Sequence, residues 1–300
     1  MEIPDDDEVM QHCLAVDCSK PFYAGTFVTR LRAFAIKYGH VSREEVNNQR
    51  HAHDVLNPNI VRVPQVFRYF SAAGKDYLVM EYVEGEPKTV ILDDETIDTV
   101  ARIVNHLHGF TSQQAGPAGG GRCSGTLWPE DEDITMLSSQ DIEYTVNSRT
   151  SSTSRRFNLG ESPLVFTHGD VAPRNILFSR SGIWFLDWEF AGYFPRAAEF
   201  AALSQDYGAN VEDIRFRQRV LDTLKSTAPL SDNETCQAQL LLEYAFNNIR
   251  FAWPRVQSHK SQLGTTRKKR CPIEAERYVD IELELARRIE TELAPQNDTH

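Results

Sequence analysis

One segment, residues 168–190, constrains the chain most, because its polar side chains stand at the ends of short apolar runs. Ser-Arg-Ser-Gly separates the last two runs and predicts a hairpin. The open ends of a hairpin lie side by side, so we predict that Asn175 and Asp187 are neighbours and that Asp170 lies on the preceding loop. The predicted strands are residues 164–167, 176–178 and 183–186.

These three oxygen-bearing side chains suit phosphoryl transfer. Mg²⁺ takes few carboxylates and keeps positions for phosphate oxygens, while a remaining carboxylate can accept a proton from an alcohol. Asp170 and Asn175 are five positions apart, the spacing of the base and the metal-binding asparagine in kinase catalytic loops. Singly, each residue could serve a turn. Together, with His168 nearby, they favour the catalytic interpretation.

Composition bounds the function classes. A chain of 300 residues with 41% hydrophobic and 25% charged residues can form one or two cored domains. Its 43 acidic and 32 basic side chains give a net charge of −11. That balance argues against a nucleic-acid or anionic-membrane binder and is compatible with a cationic or neutral substrate.

Cysteine usage and hydropathy suggest a compartment. The five cysteines are scattered without a CxxC pair, so neither a zinc site nor a disulfide framework is indicated. The acidic start does not resemble a signal peptide, and no apolar run approaches the roughly 20 residues of a membrane helix. We therefore expect a cytoplasmic protein with reduced cysteines and no membrane contact.

The first part of the chain predicts a small β-rich lobe. Phe27–Tyr38 alternates like a strand, and Ser42 with Glu45 forms a capping-box pattern that opens a helix ending near Leu56. Two further strands and a hinge at 84–87 follow.

The later part is mainly helical. Predicted strands are 61–70 and 76–82, and predicted helices are 96–110, 195–206, 211–225, 232–252 and 273–294.

The chain resembles the aminoglycoside phosphotransferase/choline-kinase-like family, a branch of the protein-kinase-like fold. The resemblance covers roughly 25–255 and is strongest at HGDVAPRN (168–175) and LDWEFAG (186–192). It implies an α+β, two-lobed fold, with a nucleotide-binding lobe at 1–83 and a catalytic and substrate lobe at 84–300. It also implies transfer of phosphate from ATP, with Mg²⁺, to a hydroxyl of a small molecule such as an aminoglycoside, a choline-like alcohol or a sugar.

The resemblance also assigns roles to residues of the later lobe. Asp170 would be the catalytic base, His168 would brace its loop, and Arg174 belongs to the same catalytic group. Asn175 and Asp187 would bind Mg²⁺.

In the first lobe, the resemblance assigns the nucleotide contacts. Lys37 would hold the α- and β-phosphates and Glu45 would pair with it, with Glu44 a close alternative. The backbone at Glu81, Tyr82 and Val83 would meet the adenine.

One departure keeps other functions open. The expected phosphate-binding turn, Lys20–Thr26, holds a single glycine. A non-catalytic, pseudokinase-like binding module is therefore an alternative, although the intact catalytic residues oppose it. A protein kinase is a further alternative, opposed by the short distance from Asp187 to Pro195, which leaves no room for an activation segment.

Three remaining segments have weaker signals. The glycine run at 116–121 lacks the ending of a phosphate loop and is predicted to be a flexible loop. The basic run Arg267–Arg270 reads as a solvated loop. The acidic segment Trp128–Asp133 reads as a surface loop, and it would also suit an ammonium-bearing or sugar-like acceptor.

Overall fold

The computed structural model describes residues 2–17, 26–87, 93–128, 134–150, 155–205 and 210–250. Four sequence predictions fall wholly or mostly outside these ranges: the phosphate-binding turn before Thr26, the acidic segment after Trp128, the basic run at 267–270 and the helix at 273–294.

The first lobe is an antiparallel sheet between two helices. Strands β1 to β4 stand in the order β1-β2-β4-β3. Alternate residues of β2 face opposite sides, so Phe34, Ile36 and Tyr38 pack against Val9 of α1, while Lys37 faces the other side. The elements are α1 (Asp6–Asp17), β1 (Phe27–Leu31), β2 (Phe34–Gly39), α2 (Arg43–Val55), β3 (Val66–Ala72) and β4 (Lys75–Glu81).

The single strand predicted over Phe27–Tyr38 is wrong, because the chain reverses in its middle. Arg32 has a φ of 56°, in the left-handed region that favours glycine. β1 and β2 therefore pair as a hairpin in which Val28 lies opposite Lys37. Apolar and polar residues continue to alternate through the turn, and the turn contains no glycine, proline or asparagine. The sequence pattern therefore gave no sign of a turn.

The helix predicted after Ser42 is confirmed as α2, but only half of the predicted capping box forms. Ser42 accepts a hydrogen bond from the Glu45 N–H, as a capping box requires. The Glu45 carboxylate does not return to the cap, because it hydrogen-bonds Lys37. Farther along α2, Asn48 donates to the backbone carbonyls of Trp188 and Ala191. The helix is thus anchored to the second motif of the sequence.

The second lobe is mainly helical and carries two small sheets, ordered β10-β7-β6 and β5-β8-β9. The apolar face of α3, including Val100 and Val104, packs in a core with Phe166 and Trp188. The elements are β5 (Glu86–Pro87), α3 (Asp94–Leu107), β6 (Thr111–Ser112), α4 (Ser139–Asn147), β7 (Leu164–Thr167), β8 (Ile176–Ser179), β9 (Gly182–Phe185), β10 (Gly192–Pro195), α5 (Arg196–Leu203), α6 (Val211–Thr227) and α7 (Asp232–Arg250).

The two-lobed α+β prediction is confirmed: a small antiparallel sheet lobe precedes a helical lobe. The predicted hairpin is also confirmed, with Ile176 opposite Phe185. The boundary between 83 and 84 stays a prediction. Over the part of the chain that the structure describes, no helix has the length and apolar character needed to cross a bilayer.

The glycine run does form a loop, but it packs against α2. The Ala118 N–H donates to Asn48 and the Arg122 N–H donates to Glu44. A side chain at Gly121, where φ is +118°, would collide with Glu44. The glycines therefore allow the loop to approach the helix closely.

Candidate active site

Lys37 joins the two lobes at the centre of the site. Its ammonium donates to Glu45 Oε1 at 2.5 Å and to Asp187 Oδ1 at 2.9 Å, and only 10% of its side chain is exposed. Burial alone would lower the pKa of Lys37, but the charges of Glu45 and Asp187 outweigh it and raise that pKa. Burial raises the pKa of Glu45 to about 7, opposed by Lys37. The three predicted residues therefore meet, although 150 positions separate Lys37 from Asp187.

Asp187 stands on strained backbone inside an acidic cluster. Its φ is 62°, and a non-glycine residue keeps such an angle only where its surroundings impose it, often at functional sites. One carboxylate oxygen each from Glu45, Asp187 and Glu189 lies within 4.8 Å of the others. Glu189 was not predicted as a site residue, although it lies within the LDWEFAG motif.

The catalytic loop holds Asp170 through its neighbours. After Ala172 the chain makes a single 3-10 turn over Pro173–Asn175. Asn175 Nδ2 donates to the Asp170 carbonyl at 3.0 Å and to Asp170 Oδ2 at 2.8 Å. Arg174 Nη2 donates to the same Oδ2 at 2.6 Å. The predicted base, its arginine and the predicted metal ligand thus form one hydrogen-bonded group.

His168 connects the catalytic loop to the end of the hairpin. Its ring Nε2 lies 3.0 Å from the Leu186 carbonyl and its Nδ1 lies 3.3 Å from the Asp170 N–H. This pattern requires a proton on Nε2 and none on Nδ1. Burial lowers the pKa of His168, in keeping with a neutral ring. The bracing role predicted for His168 is consistent with this geometry.

Two buried charged residues near the loop were missed by the sequence. Glu199 of α5 accepts from the backbone N–H groups of His168 at 2.6 Å and Gly169 at 3.1 Å. Burial raises the pKa of Glu199 to about 7, opposed by these two hydrogen bonds. Arg217 of α6 donates to Asp170 Oδ1 at 3.2 Å. Neither residue stands in a motif, so their role depends on the packing of the helices.

The segment predicted to meet the adenine, Glu81–Val83, already uses some of its backbone groups within its own lobe. The Glu81 N–H donates to Gln65 and the Tyr82 N–H donates to Ala33. An adenine would therefore have to meet other backbone groups of the segment that ends at Val83. A groove of about 630 Å³ lies beside this segment and is lined by 81–84, Ser179–Ser181 and Trp184. Its lining does not include Lys37, Asp170 or Asp187.

The face of the sheet that carries Lys37 is suited to a nucleotide. Val28 lies opposite Lys37 in the β1–β2 ladder and so points to the same face. Val28 is 59% exposed, which leaves an apolar surface beside the buried ammonium. An apolar patch next to a cation matches the base and the phosphates of a nucleoside triphosphate.

The oxygen atoms fit a hard divalent cation. The Asn175 amide nitrogen is occupied by Asp170, which leaves the amide oxygen as its ligand atom. Asp187 has a second carboxylate oxygen besides the one that meets Lys37, and Glu189 is close by. Two of these three carboxylates meet Lys37, so the group has more negative charge than one lysine balances, which suits the oxygen-binding Mg²⁺.

Comparison with known proteins agrees with this fold. The model of the phosphotransferase enzyme family matches residues 24–232. Aminoglycoside phosphotransferase APH(4)-Ia is 9% identical with a TM-score of 0.50, over 81% of this chain and 90% of that one, which shows a shared fold.

Two further solved structures are similar. The microcompartment-associated aminopropanol kinase is 15% identical over 81% of this chain and 89% of its own, with a TM-score of 0.46. A putative fructosamine-3-kinase from Haemophilus somnus 129PT is 14% identical over 75% and 85%, with a TM-score of 0.43. No curated protein matches the chain.

Proposed function

The chain belongs to the phosphotransferase enzyme family, and on that basis we propose that it transfers the γ-phosphoryl group of ATP, with Mg²⁺, to a hydroxyl group. It is a small-molecule kinase. The observation that carries the proposal is the meeting of Lys37, Glu45 and Asp187 beside the hydrogen-bonded group of Asp170 and Asn175. A cation for phosphates, oxygen ligands for a metal and a carboxylate base are the parts that phosphoryl transfer requires.

The proposed nucleotide end of the site is held by residues from both lobes. Lys37, kept charged by its two carboxylates, would bind phosphate oxygens. Asn175 and Asp187 would hold the metal, which when bound neutralises the charge of the phosphates and orients them. Asp187 would then exchange part of its contact with Lys37 for the metal.

The proposed acceptor end is centred on Asp170. Its carboxylate would take the proton of the attacking hydroxyl as the new oxygen–phosphorus bond forms and the bond to the leaving ADP breaks. Arg174 donates to Asp170 Oδ2, and its guanidinium is half exposed while the carboxylate is buried. We propose that it moves toward the transferring phosphoryl group and stabilises its charge.

The short segment after Asp187 supports a small acceptor over a protein. Strand β10 pairs with β7 from Gly192 to Pro195, and α5 begins at Arg196. A kinase activation segment, which forms a platform for a protein substrate, has no space between Asp187 and these elements.

A transfer screen tests the proposal. The purified chain with Mg-ATP is incubated with aminoglycosides, choline-like amino alcohols, sugars and hydroxy amino acids, and ADP release and phosphorylated product are both measured. We expect one of these classes to give acceptor-dependent ADP release and a product heavier by one phosphoryl group. Mg-ATP binding without product from any class would instead favour a non-catalytic binding module.

A further inference from the structure

Asp170 has a buried partner that the sequence motifs do not contain. Arg217 Nη2 lies 3.2 Å from Asp170 Oδ1, and each side chain is only 8% exposed. Arg217 belongs to α6, 47 positions after Asp170. A buried charge that loses its partner is costly, so this pair strongly constrains the inner side of the catalytic loop.

The two oxygens of Asp170 have different surroundings. Oδ1 meets Arg217 in the interior, whereas Oδ2 meets Asn175 and Arg174. Arg174 is 52% exposed and also lies 3.5 Å from Asp213. Of the two oxygens, Oδ2 has the partner that reaches solvent, so Oδ2 is the oxygen that an acceptor hydroxyl entering beside Arg174 would meet. Oδ1 is held from the interior by Arg217.

Arg217 is itself held in place. Its Nη1 donates to the Gln205 carbonyl at 3.1 Å, while Nη2 serves Asp170. Among the residues that the structure describes, its Nε has no hydrogen-bond partner. A planar guanidinium can span two acceptors in a fixed geometry, which the single ammonium of lysine cannot reproduce. Arg217 therefore ties the catalytic loop to the end of α5.

We propose that Arg217 is a positioning residue for phosphoryl transfer. It fixes Asp170 through Oδ1, so that Oδ2 presents its lone pair to the acceptor hydroxyl. This inference rests on the proposed function. Since Arg217 acts through Asp170 and not through Lys37 or Asp187, its loss should reduce kcat and leave the KM for Mg-ATP nearly unchanged.

The test uses Arg217→Lys, which keeps the charge but loses the two-pronged geometry. Turnover of Mg-ATP is measured with water as the acceptor, so that no substrate needs to be known. We expect kcat to fall about 10- to 100-fold, the weight of one hydrogen bond to a charged group. Arg215→Lys is the control, because Arg215 lies on the same helix, is exposed and pairs with Glu212. Its kcat should equal that of the wild type.

A double variant separates positioning from general damage. In an Asp170→Asn background, Arg217→Lys should lower kcat no further, because residues that act through one another are not additive. An equal loss in both backgrounds, or wild-type turnover in Arg217→Lys, would overturn the inference. If Arg217→Lys does not fold, Arg217→Gln retains an amide donor and should show the same loss. A wild-type chain that neither binds nor turns over Mg-ATP would refute the proposed function, and the inference with it.

Discussion

Lys37 shows how burial and charge oppose each other at a single residue. An isolated lysine with this exposure would tend to lose its proton, yet two carboxylates keep it charged. At Glu45 the two effects act in the opposite direction: burial raises the pKa of the carboxyl to about 7, and the charge of Lys37 opposes that rise. Each residue of the pair therefore keeps the other charged, and Asp187 joins them from the other lobe.

Lys37→Ala should weaken Mg-ATP binding and reduce turnover while the protein still folds. Folding is retained near neutral pH because Glu45, with a pKa of about 7, can take a proton when its partner is removed. Calorimetric titration with Mg-ATP measures the affinity, and circular dichroism checks the fold. Lys225→Ala, which removes an exposed lysine of α6, is the control. Unchanged turnover in folded Lys37→Ala would mean that Lys37 does not contact the phosphates.

The sequence indicated candidate site residues within the motifs, apart from Glu189 of LDWEFAG, and missed the buried residues outside them. Asn175 and Asp187 could be placed together because a hairpin brings its ends side by side, with Asp170 on the preceding loop, whereas Lys37 was assigned by the family resemblance. Glu199 and Arg217 are ordinary helix residues in the sequence. They become site residues only because α5 and α6 pack against the catalytic loop, and long-range packing leaves no local pattern.

At the scale of elements, α5 supports the catalytic loop through one carboxylate. Glu199 accepts two backbone N–H groups from the loop that would otherwise be buried without partners. Gly169 lets the same loop approach Phe190 closely, since its φ is +76° and a side chain there would meet the Phe190 carbonyl at 2.6 Å. Within the described part of the chain, neither hydrogen bond to this buried carboxylate comes from a cation.

Glu199 makes stability depend on pH. Its pKa is raised from 4.5 to about 7 in the folded state, so the folded protein binds the proton more tightly than the unfolded chain. Stability should therefore fall as pH rises from about 4.5 to about 7, by about 3 kcal/mol from this residue. Urea unfolding of wild type and Glu199→Gln across that range measures the difference in slope.

Glu212→Gln, an equal loss of charge on the neighbouring helix α6, is the matched control and should keep the wild-type slope. If Glu199→Gln also keeps that slope, the carboxylate is not buried as the structure places it.

The predicted boundaries of helices and strands agree with the structure where the sequence contains a capping residue or a turn motif. α2 begins after its predicted Ser42 cap, and β8 and β9 flank the predicted turn. The hairpin within Phe27–Gly39 was not predicted from the sequence, because Arg32 adopts a left-handed φ and the turn lacks the usual turn residues. Helix α1 was also missed, although Val9 and Cys13 bury against the sheet. Its mixed sequence has only a weak helical pattern, so tertiary packing stabilises it.

At the scale of the whole molecule, the contacts that define the site cross between the lobes. Lys37 meets Asp187, and Asn48 meets the backbone of Trp188 and Ala191. A ligand bound to Lys37 and Asp187 together would hold the first lobe against the second. The two-lobed fold could be predicted from the family resemblance and from the change from a β-rich to a helical part of the chain, whereas the anchoring of α2 by Asn48 required the structure.

Mg-ATP should stabilise the whole chain by mass action. At about 100 times its dissociation constant the gain is about 2.7 kcal/mol, which a melting curve detects as a higher Tm. ATP without a divalent cation should give a smaller shift, because the phosphates would then face Asp187 unshielded. The absence of any shift at millimolar Mg-ATP would mean that the site does not hold the nucleotide.

The most direct measurement compares two single variants in the same pair of assays. Asp170→Asn keeps the shape of the side chain but loses its basicity, so turnover should fall about 10²- to 10⁴-fold while calorimetric Mg-ATP affinity stays close to wild type. Asp187→Asn removes a charged metal ligand, so it should lose Mg-ATP affinity as well as turnover. Equal loss of Mg-ATP affinity in both variants, or full turnover in Asp170→Asn, would contradict the assignment of Asp170 as the base and Asp187 as the metal ligand.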